Sequence, residues 1–403
     1  MLVLPLFAVL SFAGGDWPQW RGPHRDGALT SFVAPKSWPE TLKRKWTLTV
    51  GEGHSSPVFA SGKIFVFTRQ QSDEVLTCVD PELGKVSWRV AYPAPYKVNP
   101  AADSHGAGPK STPVVYQGRV FTLGIGGVLS SFDAATGKAG WRKNFAGEFR
   151  ETSPWYGTAT SPVVDGGLVI AHVGGHDDGA LMAFDAATGT VKWKWKGDGP
   201  GYASPIVVEL AGKRQVVTET QQNIVGVAAA TGELLWKIPF TTEFTQNAVT
   251  PLPYGDMLIF SGLSNGTRAV RASAKDGKWS TETVWHNKEM SMYMNSPVIA
   301  GDRVCGFTHR NKGQVFCLDA RTGSTLLTGS PRQGDNAALI AAGDLLFVLK
   351  DDGQLLVASP TGTTFAPIRS YTVAESPTWA HPLILPGGLV IKDATTLALW
   401  EFN

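Results

Sequence analysis

Residues able to do chemistry are spread singly along this chain, and they recur in two kinds of segment. His54, His105, Lys110, Tyr156, Tyr202, Asn247, Asn295 and His381 stand shortly before, or at, a residue-Pro step that opens an apolar run. His176, Gln222 and His309 lie in loops between apolar runs, with Asp177, Asp178, Gln221, Arg310, Asp351 and Asp352. An imidazole titrates near neutral pH and can pass a proton or hold a metal, while Tyr, Asn and Gln orient a polar ligand. Gathered round one concave mouth, such a set would make a ligand site. Left apart, His54 and His381 would only bond the carbonyls of strand ends.

Some groups invite a sharper reading. His176-Asp177-Asp178-Gly179 has metal-ligand types, but three adjacent residues in a strand-connecting loop rarely face one centre, which favours a solvated loop. Asp351-Asp352-Gly353 reads as a hairpin turn. Asp133 and Asp185 open identical Asp-Ala-Ala-Thr-Gly phrases and look catalytic by repetition. Repetition argues the other way, since a group needed in every repeat is structural. Cys305 and Cys317 flank a hairpin near Arg310 to Gly313, leaving either a bridge or two buried thiols, and Cys78 completes an odd count.

The elements that must position these residues follow from internal repetition. Asp319 to Gly323 repeats the phrase with one change, and Asp80 to Gly84, Ala228 to Gly232, Ser273 to Gly277 and Ala358 to Gly362 keep its glycine. Trp88, Trp141, Trp193 and Trp236 follow four of the phrases at a fixed place. Ser-Pro or Thr-Pro steps precede apolar runs, with prolines at 57, 113, 162, 205, 251 and 297, and His381-Pro382 is a seventh such step. From Pro113 to Pro297 the prolines recur at the period of a four-stranded propeller blade. Within a repeat, short β-branched or aromatic runs alternate with Gly-rich turns, as in Pro162-Val163-Val164, Leu168 to Ala171, Leu181 to Phe184 and Val191 to Trp193.

First strands at Pro57, Pro113, Pro162, Pro205, Pro251, Pro297, near Ala338 and at Pro382 predict an all-β, eight-bladed β-propeller of four-stranded blades. The last blade lacks a strand of its own, and Arg44 to Leu48, carrying Trp46, is placed to supply it and close the ring. With strands running from inner to outer, the Asp-x-x-Thr-Gly turns share one face. The segments before each inner strand, and the loops between second and third strands, share the other, called here the entry face. Arg89 to Lys110 is the longest insertion on that face, and an insertion there suits partner or ligand specificity as well as a plain surface loop.

Charged residues are only 17% and the formal net charge is +2, with no basic run, so nucleic acid is not an expected partner. Residues 1–13 are apolar and end in Ser11-Phe12-Ala13, the length and cleavage pattern of a signal peptide, although no Lys or Arg precedes them. They are too short to span a bilayer, and no later run is long enough, so no transmembrane segment is expected. A single propeller over 14–403, periplasmic or extracellular, is the expectation.

The Asp-x-x-Thr-Gly-x-x-x-Trp repeats resemble the tryptophan-docking repeats of the pyrroloquinoline-quinone (PQQ) propeller superfamily. It includes quinoprotein alcohol and glucose dehydrogenases and the non-enzymatic outer-membrane assembly propeller. The N-terminal stretch Asp16-Trp17-Pro18-Gln19-Trp20-Arg21-Gly22-Pro23, with Arg25-Asp26-Gly27, is similar to that of exported bacterial PQQ-like repeat proteins, and should plug the channel or clasp the outside. A quinoprotein resemblance implies basic residues on PQQ, a Ca²⁺ cage of Glu, Asn and Asp, a catalytic Asp and adjacent cysteines. Neither a Cys-Cys pair nor a Cys-x-x-Cys-His haem motif occurs. The expectation is therefore a binding or scaffold module for a protein or cell-envelope partner, with no catalytic residue, metal or cofactor assigned. A PQQ- and Ca²⁺-dependent, or otherwise metal-dependent, oxidoreductase is the alternative. A third reading is sugar binding through Trp155, Tyr156, Tyr202 and Trp379.

Overall fold

The computed structural model describes residues 15–402, so the expected signal peptide lies outside the described residues. Blade three shows how the repeat folds. Leu168–Gly175 and Asp178–Asp185 pair antiparallel and are buried almost throughout, because a neighbouring blade covers each face. Strands covered on both faces read as continuous apolar runs. Val163–Asp165 pairs on their axial side and Val191–Trp195 on their outer side, where burial falls away.

Eight such sheets make a ring, with inner strands Val58–Ala60, Val114–Tyr116, Val163–Asp165, Ile206–Leu210, Leu252–Tyr254, Val298–Ala300, Ala337–Ala342 and Leu383–Leu385. Blade eight takes its outer strand from the other end of the chain. Lys43–Thr49 pairs antiparallel with Thr396–Glu401, and Trp46 lies opposite Leu399. This is the predicted closure.

Two devices join the blades, and both explain a recurring phrase. In the Asp-Ala-Ala-Thr-Gly turn of blade three, Asp185 Oδ1 accepts from Ala187 N, Thr188 N and Thr188 Oγ1 at 3.1, 2.9 and 3.0 Å. Those bonds hold its carboxyl below the usual range and tie it into the turn. Gly189 follows at φ +72°, and a Cβ there would stand 2.7 Å from the Trp141 ring of the preceding blade. Trp141 Nε1 donates to Ala186 O at 3.0 Å. Trp46, Trp88, Trp193 and Trp285 dock likewise on Pro81 O, Ala134 O, Ala229 O and Ala320 O. Trp236 is the exception. Blade five ends in a long hairpin through Asp276-Gly277 instead of the short turn, and Trp236 donates to Gln215 of its own blade.

At the axis, the hydroxyls of the Ser/Thr-Pro steps at Ser56, Thr112, Ser161, Ser204 and Ser296 accept from the amide ahead of a neighbouring inner strand. Ser56 N donates to Thr112 Oγ1, Thr112 N to Ser161 Oγ and Ser161 N to Ser204 Oγ, at 2.9–3.1 Å. His381 N donates to Ser56 Oγ at 2.9 Å, carrying this belt across the closure. The following proline has no N–H, so it leaves no further donor to satisfy at the strand start.

The N-terminal segment from Asp16 to Gly27 plugs the channel. Trp17 exchanges backbone bonds with Phe59, and Pro18 O accepts from Val115 N. Arg21 is buried, with Nη1 donating to Ser296 O at 3.0 Å and Nη2 to Pro297 O. Arg25 reaches Pro162 O and Ser161 O on blade three at 2.9 and 3.0 Å. Ala28–Leu29 then pairs parallel with the inner strand of blade seven. Cys305 and Cys317 are register partners joined by a disulfide, and Cys78 is free and buried. Asp352 accepts from Lys350 Nζ and Gln354 N, as its hairpin reading requires.

Candidate functional site

The entry segments turn inward before each inner strand and surround a vestibule of about 350 Å³ above the plug. Trp20, carried by the plug, lies in its lining, with Nε1 donating to Thr250 Oγ1 at 3.0 Å. One wall is an aromatic cluster. His54 lies parallel to Trp379, with planes 8° apart and centroids 5.5 Å apart, and His105 meets Trp379 edge-on at 4.7 Å. His105 arrives from the short 3₁₀ helix Pro100–His105 inside the blade one to two insertion. Burial, aided by the charge of Lys110, holds both imidazoles below their ordinary range, so they are neutral at pH 7.

Among the described residues of the lining, Lys110 is the one cation. Its Nζ donates to Tyr156 O at 2.7 Å, and burial pulls the ammonium down to about 8. The opposite wall holds phenols. Tyr156 N donates to Tyr202 Oη at 3.3 Å, and Tyr293 Oη donates to Gln246 Oε1. Burial raises the Tyr202 hydroxyl, and the neighbouring Tyr156, Tyr96 and Tyr293 add to it. Among the described residues lining this space there is no Asp or Glu.

Five of the predicted site residues therefore meet here: His54, His105, Lys110, Tyr156 and Tyr202. The others stand elsewhere. His381 is buried against the edge of Trp20, with ring centroids 4.5 Å apart. Asn247 is buried and spends its amide on Thr220 O, Gln221 O and Phe240 O. Asn295 Oδ1 accepts from Phe307 N. His176 stacks on Trp155 at 3.7 Å outside the vestibule, Gln222 is exposed, and His309 meets Tyr293 edge-on at 6.2 Å. Asp178 accepts from Arg150 N at 2.8 Å, which ties the His176 loop to its neighbour. Trp20, Gln246, Tyr293 and Met294 line the site and were not picked out by the sequence. Gln246 and Met294 each precede a chosen Asn by one residue, and an extended chain sends neighbouring side chains opposite ways.

A family model described as outer membrane protein assembly factor BamB matches residues 72–328 and 287–365. The chain belongs to this family of PQQ-type propellers. It is 25% identical over 256 residues to the BamB of Shewanella oneidensis, a stretch covering 60% of this chain and 62% of that relative. The chain thus spans about three fifths of the length of the curated BamB it matches. Among solved structures, BamB from Moraxella catarrhalis is similar at TM-score 0.63 and 16% identity, covering 90% of this chain and 100% of that one. The quinohemoprotein alcohol dehydrogenase of Comamonas testosteroni is similar at TM-score 0.58 and 12% identity, covering 96% and 80%. An assembly factor and a dehydrogenase share this fold, so the fold does not choose between binding and catalysis.

The quinoprotein resemblance of the repeats implies PQQ with Ca²⁺, and the residues lining this vestibule do not fit that pair. Ca²⁺ takes about six to eight oxygen ligands, carboxylates prominent among them. The vestibule lining offers none, and among the described residues no three of His, Cys, Asp and Glu are grouped to hold a metal ion. The three carboxylates of PQQ would meet a single lysine there.

Proposed function

We propose that the protein is an exported, non-catalytic binding propeller whose entry face docks a protein or another cell-envelope component. The observation that carries this reading is the vestibule itself: aromatic, holding one cation, without a carboxylate to act as base or metal ligand, and lined by Trp20 of the plug. Membership of the BamB family supports a scaffold role. The Cys305–Cys317 disulfide supports an oxidising compartment. No helix of the described residues is long and apolar enough to cross a membrane.

Site-specific photo-crosslinking in intact cells tests the reading. A crosslinker at Phe244, exposed on the entry face, should give discrete adducts. One at Leu83, exposed on the face of the Asp-x-x-Thr-Gly turns, should give none. Adducts from Leu83 alone would sink the proposal. So would substrate-dependent dye reduction after PQQ and Ca²⁺ are added to the purified protein.

A further inference from the structure

The vestibule carries more than a general capacity to bind. Lys110 has one protein acceptor, Tyr156 O, for its three donors, and no carboxylate lines the space with it. An ammonium withdrawn from water without a counter-ion favours an anion that restores the lost charge pairing. Around it stand the faces and edges of Trp379, His54, His105, Tyr156 and Tyr202, which suit apolar or aromatic groups beside that anion.

Exposed apolar side chains also stand on the entry segments that carry the lining residues. Trp155, next to Tyr156, is 45% exposed; Phe244, two residues before Gln246, is 67% exposed; Met294 at the lip is 38% exposed. Phe244 is held outward by left-handed backbone at φ 57°. A free small acid would fill the cavity and leave this rim bare. An occupant that covers both is larger than the cavity and enters it with one part only.

We propose that the vestibule is a socket for a polypeptide segment whose acidic side chain reaches Lys110 while flanking aromatic residues cover Trp155, Phe244 and Met294. The proposal rests on the binding role of the entry face and names the chemistry of its partner. A buried charged anchor inside an apolar ring is the arrangement that concentrates binding energy at an interface.

The test uses the purified chain and two blocked peptides, acetyl-Gly-Trp-Glu-Trp-Gly-amide and its Gln counterpart, titrated calorimetrically. The Glu peptide should bind at least about tenfold more tightly, the scale of one desolvated charge pair. Lys110→Met should abolish that preference and Lys110→Arg should keep it. Trp155→Ala combined with Phe244→Ala should weaken the peptide at least fivefold and leave indole-3-acetate, the free small acid, unchanged. Equal binding of Glu and Gln peptides to the unaltered protein overturns the proposal even if Lys110→Met does not fold. Indole-3-acetate binding as tightly as the peptide overturns its polypeptide part. Entry-face crosslinks together with no Glu preference would remove this inference and leave the binding role standing.

Discussion

Buried imidazoles resist protonation in this ring. His172 is fully buried, its Nε2 faces Asp198 O at 3.1 Å, and burial pulls its titration down to about 4. His54 and His381 are pulled down by burial as well. In each case the unfolded chain binds a proton before the folded one does. The contribution of these histidines to stability is therefore fully present above their ordinary range near 6.5 and is lost as pH falls from there towards 4. In urea titrations across that window His172→Gln should lose less stability on acidification than the unaltered protein, by up to ~3 kcal/mol at the acid end. An equal loss in that variant would show that His172 takes up no extra proton on unfolding.

Among elements, the turn and the tryptophan that docks on it form one unit, and glycine is required there twice over. Gly189 and Gly212 have the same φ of +72°, but a Cβ on Gly189 would strike the Trp141 ring, whereas one on Gly212 meets nothing within 4 Å. Gly212→Ala should cost ~1 kcal/mol, the left-handed backbone penalty alone. Gly189→Ala should add a further ~1–3 kcal/mol for overpacking. Matched chemical denaturation of the two variants reads the docking contribution as their difference. These turns were legible in the sequence because chemistry repeated at a fixed spacing has a local cause. So were the inner strands and the closing Trp46. Trp285 was not, since its blade replaces the Asp-x-x-Thr-Gly turn with a long hairpin. The vestibule was half legible. Residues ahead of each Ser/Thr-Pro step were the right region, but side-chain direction depends on where the extended segment enters the ring. Trp20 was legible only as part of a segment expected to dock; its place in the vestibule was not, because its partners Thr250 and His381 are remote in sequence.

For the molecule as a whole, closure depends on one strand from each end. Trp46 is half-buried, so Trp46→Ala should cost up to ~3 kcal/mol, the lower end for a lost core aromatic. It should also speed amide exchange across Thr396–Glu401, which pairs with Lys43–Thr49. Trp141→Ala, at a site away from closure, should leave that strand protected. If the two variants exchange alike there, the seam is no weaker than any other blade boundary. The plug brings a constraint of timing. Trp17, Pro18 and Arg25 meet blades one to three early, but Arg21 bonds to Ser296 and Pro297, and Gly27 to Ala341, so the segment completes its bonds only after most of the chain has been made. During synthesis the Trp46 strand must wait longest, because Thr396–Glu401 is made last. A ribosome-stalled chain ending before residue 383 should therefore leave the Trp46 strand open to protease even where the plug is already seated, and release of the last strands should protect it together with Thr396–Glu401.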